Sequence, residues 1–480
     1  MMKKVGFSIL ILTWSAFFLV SCQNKPQETQ IKYAFLFIGD GMGQAQVNTA
    51  QAYEAAIGNK PGFQPLTFTQ FPVLGWASTY ANNRFITCSA AAGTALATGH
   101  KTNINRISMN PEGNLPFESI AEKAKAHGLK TGIITSVSID HATPAVFYAH
   151  QASRGNYFEI GLDLAASDID FFGGGGFVIP MKVINGDTIQ IIKRAIENGF
   201  TFVNTLEGFK ALKPGTGKVL AIAPRLAADA AMPYMIDGNE GNPSLADFTQ
   251  KAIDLLQDGS GFFMMVEGGK IDWAGHGNDA ATNIMETLAF DEAIAVAKAF
   301  YDQHPNETII VVTADHETGG LALGNGGMQY ESNLAALANQ HISSEVFDMK
   351  LAEFSRQLSS DKGKDFADML VLIGQEFGLG DSTKISLTSS ELTQLQHVFN
   401  QNMYIGSGEK ADASGSSYEH ITSFLIKLMS NKAGLGWTTY SHTGINVPVY
   451  AIGPGSEMFK GMIDNTDIPK NLEKLLMIQE

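Results

Sequence analysis

The sequence predicts an α/β chain with a doubly wound, mostly parallel central sheet flanked by helices and interrupted by one mainly helical insertion. Three observations carry this prediction. Near-continuous apolar runs of strand length recur along the chain, as strands covered on both faces require. Helix-length segments alternate with them, the pattern of parallel strands joined by crossover helices. Three of the runs also end in a carboxylate or imidazole beside glycine or alanine, at the strand end where open α/β sheets bind ligands.

Residues 31–38 (IKYAFLFI) form the first strand and end in Gly39-Asp40-Gly41-Met42-Gly43, where glycines let backbone approach a ligand closely. A turn aspartate is the ordinary meaning of Gly-Asp-Gly. The arrangement recurs, however. Residues 261–266 (GFFMMV) run into Glu267-Gly268-Gly269, and 308–313 (TIIVVT) into Ala314-Asp315-His316. Further strands are expected at 131–136, 218–223 and 446–452, and helices at 117–127, 188–198, 245–257 and 281–302. After Gly319 the alternation lapses into helical patterns near 332–339, 345–359, 363–376 and 389–400. Thr388 and Glu391 fit a capping box before the last of these. Strand patterning resumes at 437–452, so about 320–435 reads as an insertion into one domain spanning 31–480.

Residues 1–21 carry Lys3, Lys4 and the apolar run FSILILTWSAFFLV, the layout of an export signal, with an uncut signal anchor as the alternative. Leu19-Val20-Ser21-Cys22 resembles a bacterial lipobox, which implies cleavage before Cys22 and lipidation of that cysteine. Residues 22–30 then form a polar tether, and the protein is expected to be exported, periplasmic or in the cell envelope, and lipid-anchored. Cys88 is the other cysteine, so an acylated Cys22 excludes an intrachain disulfide.

At 44% hydrophobic and 17% charged, 480 residues can bury a large core. The formal net charge of -15 argues against a nucleic-acid partner. It also disfavours an anionic substrate unless bound cations reverse the local sign.

The stretch 85–99 (FITCSAAAGTALATG) places Ser89 at the start of an Ala-rich helix, with Thr87 or Cys88 at or just before its cap. Free N–H groups and the positive dipole end would face an anion bound there. A buried helix with a capping serine is the ordinary reading of these residues alone. Asp272 and His276 stand at i and i+4, the spacing of one helix face, which suits one divalent ion or a surface pair. Asp315 and His316 can share an ion only where the strand has ended and the backbone turns. His442, in Tyr440-Ser441-His442-Thr443, is a ligand type that can also be a satisfied lone histidine. Together these groups would suit two close metals bracketing an in-line displacement, with a serine hydroxyl activated by one of them.

The motifs IGDGMG (38–43), TCSAAAGTA (87–95), HATP (141–144), ASRG (152–155), VEGGKIDWAGH (266–276), TADHETGG (313–320) and SHTG (441–444) resemble those of the alkaline phosphatases, in family order. The resemblance implies an alkaline phosphatase-like fold with a crown-type insertion, in a bacterial form. It implies hydrolysis of small phosphate monoesters at alkaline pH through a phosphoserine on Ser89, with Arg154 gripping phosphate oxygens. It further implies two zinc ions and one magnesium. Asp272, His276 and His442 would hold one zinc, Asp40, Asp315 and His316 the zinc at Ser89, and Asp40, Thr143 and Glu267 the magnesium. A homodimer is also implied.

Three positions depart from the commoner family pattern. Cys88 replaces an aspartate that would orient Arg154, which implies looser phosphate binding. His141 replaces an aspartate near the third metal, and Trp273 a lysine, a pairing that implies faster product release and leaves direct zinc binding by His141 open. A cysteine nucleophile does not fit: the cysteine-phosphatase loop needs arginine where Thr94 stands, and the Cys88-Ser89-Ala90-Ala91-Ala92 run lacks the sulfatase Pro and Arg. Other classes consistent with the residues are a lipid-anchored phosphate- or metal-binding protein and a superfamily phosphodiesterase.

Overall fold

The computed structural model describes residues 31–358, 365–380, 384–404 and 420–479. The signal, the tether and Cys22 lie outside the described residues. Ten strands form one sheet. Its order is Gly461–Asp464, Val73–Ser78, Val447–Ile452, Thr308–Thr313, Tyr33–Ile38, Phe262–Glu267, Lys130–Thr135, Phe171–Gly174, Val219–Ile222 and Thr201–Val203. All neighbours pair in parallel except those of Val447–Ile452, which runs against both of its partners.

The three central strands, Tyr33–Ile38, Phe262–Glu267 and Thr308–Thr313, are buried at every position. Alternating side chains point to opposite faces, so complete burial requires cover on both. Two helix groups supply it. Ala280–Gln303 packs with Leu245–Leu256 and Gln44–Ile57; Ser89–Thr98, Ile120–Ala126 and Asp467–Leu476 pack together. The rings of Tyr33, Phe35, Phe262 and Phe300 meet with centroids 5.0–5.9 Å apart beneath the central strands. Register then fixes the site. Ile38 pairs with both Glu267 and Thr313, so Asp40, Glu267 and Asp315 emerge at one end of adjacent strands.

The insertion is closed at its base by a short antiparallel ladder, Ala322–Leu323 against Leu435–Gly436. Between them lie the 3₁₀ helix Leu334–Asn339 and the helices Ser344–Leu358, Phe366–Phe377, Ser389–Tyr404 and Ile421–Ala433. Thr388 and Glu391 form the expected reciprocal cap: Glu391 N–H donates to Thr388 Oγ1 at 3.2 Å, and Thr388 N–H to Glu391 Oε2 at 2.7 Å. The helix expected at 188–198 is shorter, Ile191–Glu197. Residues Asp187–Gln190 instead pair with Met181–Ile184 across an Asn185-Gly186 turn, whose positive φ values (53° and 90°) suit a tight hairpin.

Gly174 ends the strand Phe171–Gly174 at φ +136°, and a Cβ there would lie 1.9 Å from the Thr135 carbonyl oxygen. Gly174→Ala is therefore expected to cost at least about 3 kcal/mol, combining backbone strain and overpacking. Urea unfolding measures this; a loss below about 1 kcal/mol would show that the strand ends shift freely.

Candidate metal centre

The helix Ser89–Thr98 is buried along its whole length, and its Ala/Gly/Thr surface lets it pack against Ala142–Ala145 without bulky side chains. Cys88 is its N-cap residue, and its side chain makes no capping hydrogen bond to the helix. Cys88 Sγ instead accepts from Asn105 N–H at 3.2 Å. Ser89 thus sits at the first helical turn, and its Oγ lies 3.3 Å from His316 Nε2.

Around this hydroxyl the strand ends gather their ligand-type side chains. His316 Nε2 lies 3.3 Å from Asp40 Oδ1 and 3.2 Å from Asp315 Oδ2. His276 Nε2 lies 3.2 Å from His442 Nε2 and 3.4 Å from Asp272 Oδ2, and His442 Nε2 lies 3.7 Å from Asp272 Oδ1. Asp272 and His276 share a face of the helix Lys270–His276, as their spacing requires. Thr143 Oγ1 donates to Asp40 Oδ2 at 3.1 Å, and His141 Nδ1 lies 3.9 Å from Glu267 Oε1. Three groups of donor atoms are each compact enough for one ion: Asp272 with His316 and His442, Asp40 with Asp315 and His316, and Asp40 with His141 and Glu267. His316 belongs to two of them and Asp40 to two. The third group contains His141 where the resemblance implies Thr143, whose hydroxyl is held on Asp40.

The hydrogen-bond pattern shows what these atoms want. His276 Nδ1 and His442 Nδ1 face the backbone carbonyls of Tyr440 (2.7 Å) and Thr87 (2.9 Å), so both Nδ1 atoms donate. Thr318 Oγ1 gives its hydrogen to Asp272 and so accepts from His316 Nδ1 at 3.2 Å. In its neutral form each of these rings therefore turns an Nε2 lone pair inward, toward carboxylate oxygens. Asp40 Oδ1, Asp315 Oδ2, Glu267 Oε1 and His141 Nδ1 are buried without a hydrogen-bond partner among the described residues. The three carboxylate oxygens, converging acceptors with no donor, fit divalent cations, and mixed imidazole and carboxylate groups suit zinc-type ions.

Burial sets the ionisation of the cation-free site. It pushes Asp40 and Asp315 well above the usual carboxylate range, reinforced by the Asp272 charge, and it raises Glu267, with Asp40 adding to the effect. Burial likewise lowers His316, helped by His442 and His276, and lowers His141, helped by Arg154. A bound cation inverts this balance.

Three supporting residues lie outside the set that the sequence points to. Glu317 is buried and accepts from Gln46 Nε2 (2.7 Å), Gly320 N–H (3.1 Å), Leu321 N–H (3.2 Å) and the Thr443 hydroxyl. It ties the backbone after His316 to the residue after His442. Thr318 bridges Asp272 and His316, and Thr135 donates to Glu267. A Glu-Thr pair directly after Asp315-His316 was the available signal for the first two. Arg154 Nη2 donates to His141 Nε2 at 2.9 Å, and the Arg154 backbone N–H donates to the Asn105 carbonyl at 2.8 Å. Trp273 meets the His141 ring edge-on, with centroids 6.0 Å apart.

A family model described as alkaline phosphatase matches residues 31–173 and 183–478. The chain belongs to the alkaline phosphatase family. It is 33% identical over 464 residues to alkaline phosphatase 4 of Bacillus subtilis (strain 168), covering 94% of this chain and 90% of the relative. The repressible alkaline phosphatase of Saccharomyces cerevisiae is 29% identical over 500 residues, covering 96% of this chain and 83% of that protein. Among solved structures, the cold-active alkaline phosphatase of the psychrophile Shewanella sp. superposes with a TM-score of 0.76 at 31% identity, covering 92% of this chain and 99% of that one. A histidine-to-aspartate mutant of the alkaline phosphatase of the Antarctic bacterium TAB5, with Mg bound in its M3 site, has a TM-score of 0.64 at 27% identity, covering 95% and 100%. This alkaline phosphatase is accordingly a metal-dependent phosphomonoester hydrolase.

Two outcomes are expected of the centre. Its raised carboxyls bind protons more tightly than ordinary carboxylates in the cation-free protein, and a cation must displace those they hold, so affinity for zinc should strengthen as pH rises, with protons released on binding. Calorimetry in buffers of different ionisation enthalpy measures both; a pH-independent affinity without proton release would contradict it. Glu317→Gln should weaken zinc binding about 10–100-fold while leaving the far-ultraviolet spectrum unchanged.

Proposed function

We propose that this chain hydrolyses phosphate monoesters through a phosphoserine at Ser89, with two zinc ions and one magnesium. The observation that carries the proposal is the Ser89 Oγ, 3.3 Å from the His316 Nε2 that two candidate ion groups share. Asp272, His276 and His442 would hold one zinc, Asp40, Asp315 and His316 the second, and Asp40 and Glu267 the magnesium, joined by His141 or Thr143. Magnesium is supported by the TAB5 mutant, which binds Mg in its M3 site. Bound there, the cations supply positive charge that neutralises phosphoryl oxygens and lowers the pKa of hydroxyl groups.

Arg154 would take two phosphate oxygens in a fork, as a planar guanidinium can. The free N–H groups of the first turn of Ser89–Thr98 add donors beside the same oxygens. Ser89 Oγ attacks phosphorus in line with the ester oxygen; the P–O bond breaks, and the alcohol leaves with a proton. Water then attacks phosphoserine from the vacated side, restoring the Ser89 hydroxyl and releasing phosphate. Export, lipidation at Cys22 and a homodimer built partly on the insertion complete the proposal. The apolar run before Leu19-Val20-Ser21-Cys22 supports the first two.

The metal-loaded protein and Ser89→Ala, assayed on p-nitrophenyl phosphate with metal analysis, test the nucleophile. Ser89→Ala should lose about 10³-fold or more in kcat and keep its ions. Equal activity in both would remove Ser89 from the mechanism, and full metal content without activity in the wild type would indicate a binding protein. Cys88 and Arg154 both meet the Asn105 backbone, so the carboxylate added by Cys88→Asp would be placed to orient the guanidinium and should lower the phosphate inhibition constant about tenfold; an unchanged constant would reject that role. Membrane partitioning of the full chain should be lost in Cys22→Ser.

A further inference from the structure

The buried ligands close the metal centre on nearly every side. Side chains of Asp40, Asp315 and His316 are fully buried, and Asp272 is nearly so, whereas His276 is 40% exposed. The organic part of a bound ester can therefore leave past His276 and His442, where the centre meets solvent. Two loops border that exit. One runs into the nucleophile, and its Thr87 carbonyl accepts from His442; the other carries His442, and its Tyr440 carbonyl accepts from His276. The loops touch, since a Cβ on Gly444 would stand 3.5 Å from Ile86 Cγ1 and 3.6 Å from the Phe85 carbonyl oxygen. Both present apolar side chains to solvent: Phe85 is 93% exposed and Tyr440 60%, with Ile86 and Ile445 about half exposed.

Scattered exposed apolar residues need no explanation, but four on two touching loops beside a site's opening form a patch. We propose that Phe85, Ile86, Tyr440 and Ile445 form an apolar rim that binds the organic moiety of the substrate, and that the enzyme favours monoesters of apolar alcohols. The inference rests on the phosphomonoesterase reading of the centre. The rim is specificity-determining rather than catalytic. It touches a part of the ester that does not change in the reaction, so it acts on KM and kcat/KM more than on kcat.

Linear alkyl phosphates test this, because ethyl and hexyl phosphate have the same leaving-group chemistry and differ only in apolar length. Each methylene buried on the rim can raise kcat/KM by up to about fourfold, so a hexyl-to-ethyl ratio of about 10 or more is expected for the metal-loaded wild type. The ratio should fall at least about threefold in Phe85→Ser and further in Phe85→Ser combined with Tyr440→Ser, through KM. A wild-type ratio near one, or a ratio that survives both substitutions, overturns the rim. Light scattering on the same proteins adds a second readout: loss of a dimer in Phe85→Ser with an unchanged ratio assigns the patch to a second copy and also overturns it. Hydrolysis of neither ester by the wild type is a distinct failure, that of the hydrolase reading itself.

Discussion

Everything at the carboxyl end of the sheet depends on a convergence of electron pairs that the protein itself does not neutralise. Asp40, Asp315, Glu267 and Asp272 meet three inward-turned imidazole nitrogens in a largely buried space that opens only beside His276 and His442 among these groups. Burying such groups unpaired costs several kcal/mol each. A lysine on the same helix as Asp272 does not help. Lys270 Nζ donates to the Met232 carbonyl at 3.0 Å and stands 3.4 Å over the Tyr234 ring, and its nearest carboxylate is Glu345, 3.8 Å away on the insertion. The donor set thus lacks a protein cation to balance it and fits a divalent one.

The sheet supplies the precision. Parallel register brings Asp40, Glu267 and Asp315 to one level, and residues beyond the strand ends fix the rest. Gly41, at φ +73°, donates its N–H to Asp315 Oδ1 at 3.2 Å, and a Cβ there would lie 2.8 Å from the Asp272 Cα. Only glycine permits that approach. Glu317 then fastens the short ladder of Glu317–Thr318 with His442–Thr443, so His442, beyond the insertion, is locked beside the strand that follows His316. The insertion can be long because its two ends are clamped at Ala322–Leu323 and Leu435–Gly436.

The central strands were legible because burial on both faces leaves an uninterrupted apolar run, and Tyr33–Ile38, Phe262–Glu267 and Thr308–Thr313 are such runs. Val73–Ser78 and Phe171–Gly174 were missed for opposite reasons. The first is half-exposed and interrupted by Gly75; the second ends in two glycines, admitted by close packing against Phe171, Phe248 and the Thr135 carbonyl. Periodicity carries no direction, so the antiparallel course of Val447–Ile452 could not be read. The Asn185-Gly186 turn could have been, since that dipeptide between two β-patterned runs signals a hairpin. At the site, ligand types repeating at strand ends were readable. The roles of Glu317, Thr318 and Thr135 were not, because a buried carboxylate or hydroxyl is recognised by the partners the fold brings to it.

His141 shows how chemistry can decide what position leaves open. A neutral imidazole has one N–H and one lone pair, and a guanidinium only donates. With Arg154 Nη2 at 2.9 Å, the lone pair belongs to Nε2 and the proton to Nδ1, the nitrogen that faces Glu267. The same ring cannot accept from Arg154 and also offer Nδ1 to a cation. Ligation by His141 would place the proton on Nε2 and release Arg154, whereas a third site completed by the Thr143 hydroxyl would leave the arginine held. The Asp40–Glu267 corner and Arg154 are therefore coupled through one proton, that of the His141 ring.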